Sequence, residues 1–139
     1  MIKLIQPPST PGPSQTFAGP VWFDVIYRGA EPSRARVNAV HFAPGSHTAW
    51  HVHAMGQTLH VTEGVGLVVS REGTVIVMRP GDTVHTPPGE WHWHGATADR
   101  FMTHLAIWDG TGDPNAPETT WGEMVPDDEY TEANKETDA

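Results

Sequence analysis

The stretch GSHTAWHVHAMGQTLHVTEG, residues 45–64, decides how this chain is read. Side chains on an extended strand alternate between its two faces. His51 and His53 therefore point to the same side of one strand. On residues 57–61 the same parity puts Gln57 with Leu59 and Val61, an apolar interior face, and His60 with Thr58 and Thr62 on the other. Further along, PPGEWHWHG (87–95) aligns His92 with His94 if 91–94 is extended. On 101–108, His104 shares its face with Met102 and Ala106. So His51, His53, His92, His94 and His104 can converge, and His60 cannot join Gln57.

The chain has nine histidines and no cysteine, so any metal site must use nitrogen and oxygen ligands. Imidazoles with a neutral carbonyl oxygen suit a divalent first-row transition metal. Imidazoles gathered in an interior without an ion would leave buried polar groups to satisfy. A metal centre is therefore the leading reading, and a catalytic one ahead of a structural one. The other histidines, His41, His47, His60 and His85, read as surface or interface residues. Trp50, Trp91 and Trp93 alternate with the His positions and so belong to the opposite face, as sheet-covering core or as an intersubunit contact.

Outward from this stretch the chain is a series of short strands: 21–27, 35–43, 48–53, 57–62, 66–71, 74–79, 82–87 and 101–108. Pro44-Gly45, Glu63-Gly64, Glu72-Gly73, Pro80-Gly81 and Pro88-Gly89 supply the turns between them. Regularly spaced turn signals with strands between predict an all-β sandwich or barrel. A chain of 139 residues is one domain by size. Its expected divisions are a Pro-rich arm at 1–20, a barrel at 21–125 and an acidic tail at 126–139. Asp127–Glu132 reads as one helical turn with Asp127 as N-cap; the polar end after it is expected to fray.

A formal net charge of −9 argues against nucleic acid and against an anionic membrane surface. No run of residues reaches the length of a membrane span, and MIKLIQPPSTPGPS lacks the apolar core of a secretory signal. A cytoplasmic protein acting on a small molecule is the default, and the Pro-rich arm suits a homodimer or homotetramer.

The spacing of Gly45, His51, His53, Gln57 and Gly64 resembles the first motif of the cupin superfamily. Gly81, Pro87, Gly89 and His92 resemble the second, with Ala96 where that motif carries Asn and Gln57 where the first carries Glu. The resemblance covers roughly residues 35–108 and implies a single-domain cupin, a double-stranded β-helix with a jelly-roll-like barrel. The runs TAWHVHAMGQTLHVTEG, PPGEWHWHGA and MTHLAI are similar to a narrower group, the small bacterial cupins that include manganese-dependent hydroxynitrile lyases. That likeness implies His51, His53, Gln57 and His92 as metal ligands, with His94 and His104 as catalytic pocket residues. It points to manganese, with iron, nickel, cobalt, copper and zinc open.

The chemistry follows from these types. Gln donates a carbonyl oxygen without charge, leaving the dication a stronger Lewis acid that attracts cyanide, alkoxide or enolate. A nearby cation keeps His94 and His104 neutral, and neutral imidazole is a competent general base. The reading leans to an enzyme catalysing lyase-type C–C cleavage or formation. A metal-dependent dioxygenase and a non-catalytic metal- or ligand-binding cupin are the alternatives; a sugar isomerase fits less well, lacking an evident Glu and Lys.

Overall fold

The computed structural model describes residues 1–138. Three strands come from the first part of the chain: β1 (Thr10–Pro11), β2 (Phe17–Ala18) and β3 (Val21–Arg28). Next come β4 (Ala35–Phe42), β5 (His47–Thr48), β6 (His51–His53), β7 (Gln57–Gly64) and β8 (Gly66–Ser70). The last five are β9 (Val75–Met78), β10 (Thr83–Thr86), β11 (His92–Ala96), β12 (Met102–Asp109) and β13 (Thr119–Trp121). A helix α1 (Asp127–Asn134) and a short 3-10 turn (Lys135–Asp138) end the chain. Among the described residues no helix is long and apolar enough to cross a membrane.

The strands form two curled antiparallel sheets. One runs β1-β3-β4-β12-β7-β10. The other runs β13-β6-β11-β5-β2, with β8 also on β11 and β9 on β8. The architecture is all-β, a double-stranded β-helix of jelly-roll type, as expected. The alternation of the sequence dictates what lies between the sheets. Val40, Phe42, Leu59, Val61, Val68, Met78, Met102 and Ala106 make one buried cluster. In register, Val40 lies opposite His104, and His104 opposite Val61. Each large side chain of this cluster contributes about 1.5–3 kcal/mol on burial.

The structure differs from the sequence reading at strand 48–53 and at the terminal helix. The expected strand 48–53 is broken into β5 and β6. Its middle residues bond outside the ladder, Ala49 N–H to the Thr16 carbonyl (2.8 Å) and Trp50 N–H to the Glu123 carbonyl (3.0 Å). The terminal helix is longer than one turn, and Pro126 occupies its N-cap with no side-chain cap, so Asp127 is already helical. Asp127, Asp128 and Glu129 instead suit the positive end of the helix dipole.

The helix is tied to the barrel by hydrogen bonds, and residue 139 of the end expected to fray lies outside the described residues. The Tyr130 hydroxyl donates to the Ala96 carbonyl (2.7 Å), and Ala98 N–H donates to the Asn134 side chain (2.9 Å). Trp50, Trp93, Leu67, Val69, Val125 and Ala133 form a second buried cluster, with Trp91 and Tyr130 against it. The alternating tryptophans are therefore sheet-covering core. His47, expected near the surface, is buried because Tyr130 stacks on it at 4.2 Å between ring centroids.

Candidate metal centre

His51 and His53 lie on β6, Gln57 opens β7 and His92 opens β11. Between the first two and Gln57 the chain turns through Ala54, Met55 and Gly56. Gly56 has φ +78°, and a Cβ there would meet the Thr86 carbonyl at 2.9 Å, so only glycine fits. β6 and β11 are neighbours, with His51 directly opposite His92. One ligand nitrogen from each of His51, His53 and His92 lies within 4.8 Å of the others, and all three residues are buried.

Hydrogen bonds around the cluster orient each ring. His51 Nδ1 contacts the Ala49 carbonyl at 2.9 Å, and His92 Nδ1 the Glu90 carbonyl at 3.0 Å. A carbonyl only accepts, so these Nδ1 atoms carry the hydrogens and Nε2 keeps its lone pair. His53 Nδ1 is paired with the Thr119 hydroxyl at 3.0 Å, and its buried Nε2 has no hydrogen-bond partner. Gln57 Oε1 lies 3.3 Å from His92 Nε2. With His92 donating through Nδ1, both atoms are acceptors and repel each other unless a cation lies between them. Three imidazoles and an amide oxygen, aimed together and oriented from behind, fit a divalent transition metal. The histidine triad could hold such an ion.

His94 and His104 lie beside this set. His94 follows His92 on β11 and stacks against it at 5.7 Å. His104 Nε2 and His94 Nδ1 are hydrogen-bonded at 3.0 Å. The two are not equivalent. His94 lines a cavity of about 310 Å³ together with His51, His53 and Gln57, whereas His104 is fully buried behind it. Burial pushes His53 and His104 down to about 4. It drives His51 and His94 well below the ordinary imidazole value, with neighbouring histidines adding to the effect, and lowers His92 as well. All five rings are neutral at pH 7, the form that binds metal or accepts a proton. The outer histidines do not join them. His41 pairs with Asp24 (3.0 Å), His60 with Thr83 (2.8 Å) and His85 with Thr58 (2.9 Å).

A family profile described as a cupin domain matches residues 38–108. The chain is a member of the cupin family. Relatives agree over most of its length. An (R)-mandelonitrile lyase from Granulicella tundricola is 41% identical over 119 residues, 86% of this cupin and 88% of the relative. A cupin-like protein from Thermotoga maritima is 34% identical, with a TM-score of 0.83 over 91% of this cupin and 93% of that chain. A polyketide cyclase from Streptomyces resistomycificus shares the fold at 19% identity, with a TM-score of 0.62 over 83% and 82% of the two chains.

Sequence reasoning missed the residues that complete the cupin's site from a distance. Thr119 and Trp121 come from β13, which pairs with β6 and sets Thr119 opposite His53 and Trp121 opposite His51. The Trp121 ring lies 4.6 Å from that of His51. Phe17, from the Pro-rich arm, packs on Trp121 at 5.9 Å, and Pro13 and Thr16 also line the cavity. Trp108 is held by its indole N–H on Glu118 (3.0 Å), which Arg36 grips through two nitrogens at 3.2 Å each. Parity does place Trp108 on the His104 face; nothing local marks the others.

Proposed function

We propose that this cupin is a metal-dependent enzyme that cleaves and forms the C–C bond of small cyanohydrins, in the manner of a hydroxynitrile lyase. The observation that carries the reading is the hydrogen-bonded His94–His104 pair, buried beside the candidate ligands but outside them. A module that only holds an ion needs no such pair. The 41% identity to a mandelonitrile lyase over most of both chains supports the same reading. So does the cavity, whose volume lies at the small end of the range for ligand pockets.

In this reading His51, His53, Gln57 and His92 hold the ion, with manganese favoured. A divalent ion bound there supplies Lewis acidity for a developing alkoxide. His94 faces the cavity and takes the proton of the cyanohydrin hydroxyl. The C–CN bond breaks, its electron pair leaves with cyanide, and the aldehyde carbonyl forms. The imidazolium returns its proton to cyanide, giving hydrogen cyanide and aldehyde. His104 is the positioning partner: its Nε2 and His94 Nδ1 share one hydrogen, and with that hydrogen on His94 the other nitrogen of His94 is left to take the proton. A strongly depressed imidazole is a weak base, but its conjugate acid gives the proton back readily.

The test is cleavage of mandelonitrile by the wild type and by His94→Ala and His104→Ala, with metal content measured on each. We expect wild-type turnover, a loss of at least about a hundredfold in His94→Ala, a smaller loss in His104→Ala, and unchanged metal content. No cleavage by the wild type, or full activity in His94→Ala, contradicts the reading.

A further inference from the structure

The cavity beside the metal centre has a polar group that the reaction above does not use. Asn38 lies on β4, directly opposite Ala106 of β12. It lines the cavity with Phe23, Val40, Ala106 and Trp108. Asn is disfavoured within strands, and the inward positions that flank it on the same face of neighbouring strands are apolar. Three other polar side chains here are already engaged. The Thr48 hydroxyl accepts from His94 N–H (3.2 Å), the Thr119 hydroxyl is paired with His53, and Gln57 belongs to the ligand cluster. The half-buried Asn38 amide makes no side-chain hydrogen bond with the other described residues, so it is free to meet a ligand. An amide offers two donors and one acceptor, so it can bond a polar group of a ligand that enters the cavity. A residue that breaks its local rule without a structural return marks a functional position.

Its placement says what it would bind. Along the sheet, Asn38 faces Ala106, and Ala106 faces Leu59 of β7, the strand that carries Gln57. β12 alone separates β4 from β7, so their backbones are roughly 10 Å apart, two inter-strand spacings. The small Ala106 between them keeps the floor open, and the rings of Phe23 and Trp108 wall it. A ligand held at the Gln57 end and reaching Asn38 has an apolar, ring-sized middle and a polar group at its far end.

We propose that Asn38 is a specificity-determining residue that hydrogen-bonds a hydroxyl substituent on the ring of the substrate, so that the preferred substrates are hydroxylated aryl aldehydes and their cyanohydrins. The proposal rests on reading this cavity as the substrate site. It is tested by calorimetric titration of the metal-loaded protein with benzaldehyde and with the 2-, 3- and 4-hydroxy isomers. In the wild type at least one isomer binds three- to tenfold tighter than benzaldehyde, the ratio expected of one hydrogen bond. In Asn38→Leu that ratio falls to about one, and Asn38→Val repeats the result if the leucine variant folds poorly. A flat series in the wild type, or a preference that survives both substitutions, overturns the proposal. Mandelonitrile cleavage separates this from the lyase reading. Cleavage with a flat series defeats the role of Asn38 alone; a preference without cleavage upholds Asn38 and defeats the lyase reading.

Discussion

At the scale of single residues, the nitrogen not facing the centre matters as much as the one that does. His51 and His92 are oriented by backbone carbonyls, which no side-chain substitution removes. His53 depends on a side chain, the Thr119 hydroxyl. Thr119→Val keeps the shape and removes the partner, so metal affinity should fall by about 10–100-fold while the fold is retained. Metal-competition titration checks this; unchanged affinity would show that His53 needs no such support. That the histidines can converge was legible from period-two alternation; the pairing of β6 with β11 is what brings them together. Thr119 was not, because its role exists only once β13 pairs with β6 across 66 residues of chain. The division of labour between His94 and His104 was also invisible. Both satisfy the same parity, and only the depth of the barrel separates the one lining the cavity from the one behind it.

At the scale of elements, turn chemistry delimited most of the strands of the barrel, because Gly and Pro mark where a ladder must stop. The short strands β1, β2 and β13 carry too few residues for any periodicity. They exist because neighbouring sheet edges accept them. The helix α1 was underestimated for a related reason. Its sequence is polar apart from Tyr130 and Ala133, yet those two, three residues apart, form the face that meets Trp93 and His47. Tyr130→Phe removes the bond to the Ala96 carbonyl but keeps the stack on His47. We expect a loss of about 1 kcal/mol, read from urea unfolding. A loss near zero would mean that packing alone seats the helix.

At the scale of the molecule, the gathering of buried neutral histidines makes stability depend on pH. In the unfolded chain each imidazole titrates near 6.5, whereas His53 and His104 are pushed down to about 4 in the fold. Between those values the unfolded state binds more protons, so acid favours unfolding there. The metal-free protein should be most stable above pH 6.5, lose stability as pH falls towards 4, and change no further through these two groups below that. Each contributes up to about 3 kcal/mol, at ~1.4 kcal/mol per unit. Urea midpoints measured on chelated protein across this range check the sign; a flat profile between pH 7 and 4 contradicts it. Bound metal should delay the loss, because protons and the ion compete for the same nitrogens.

In the proposed function, one ion at His51, His53, Gln57 and His92 and the adjoining His94–His104 pair together make this cupin a cyanohydrin lyase. The most direct measurement is the rate of benzaldehyde release from mandelonitrile by purified protein, before chelation, after it, and after a divalent ion is restored. Release should disappear on chelation and return with the ion, manganese being the most effective. Release that persists in metal-free protein, or no release under any loading, would contradict it.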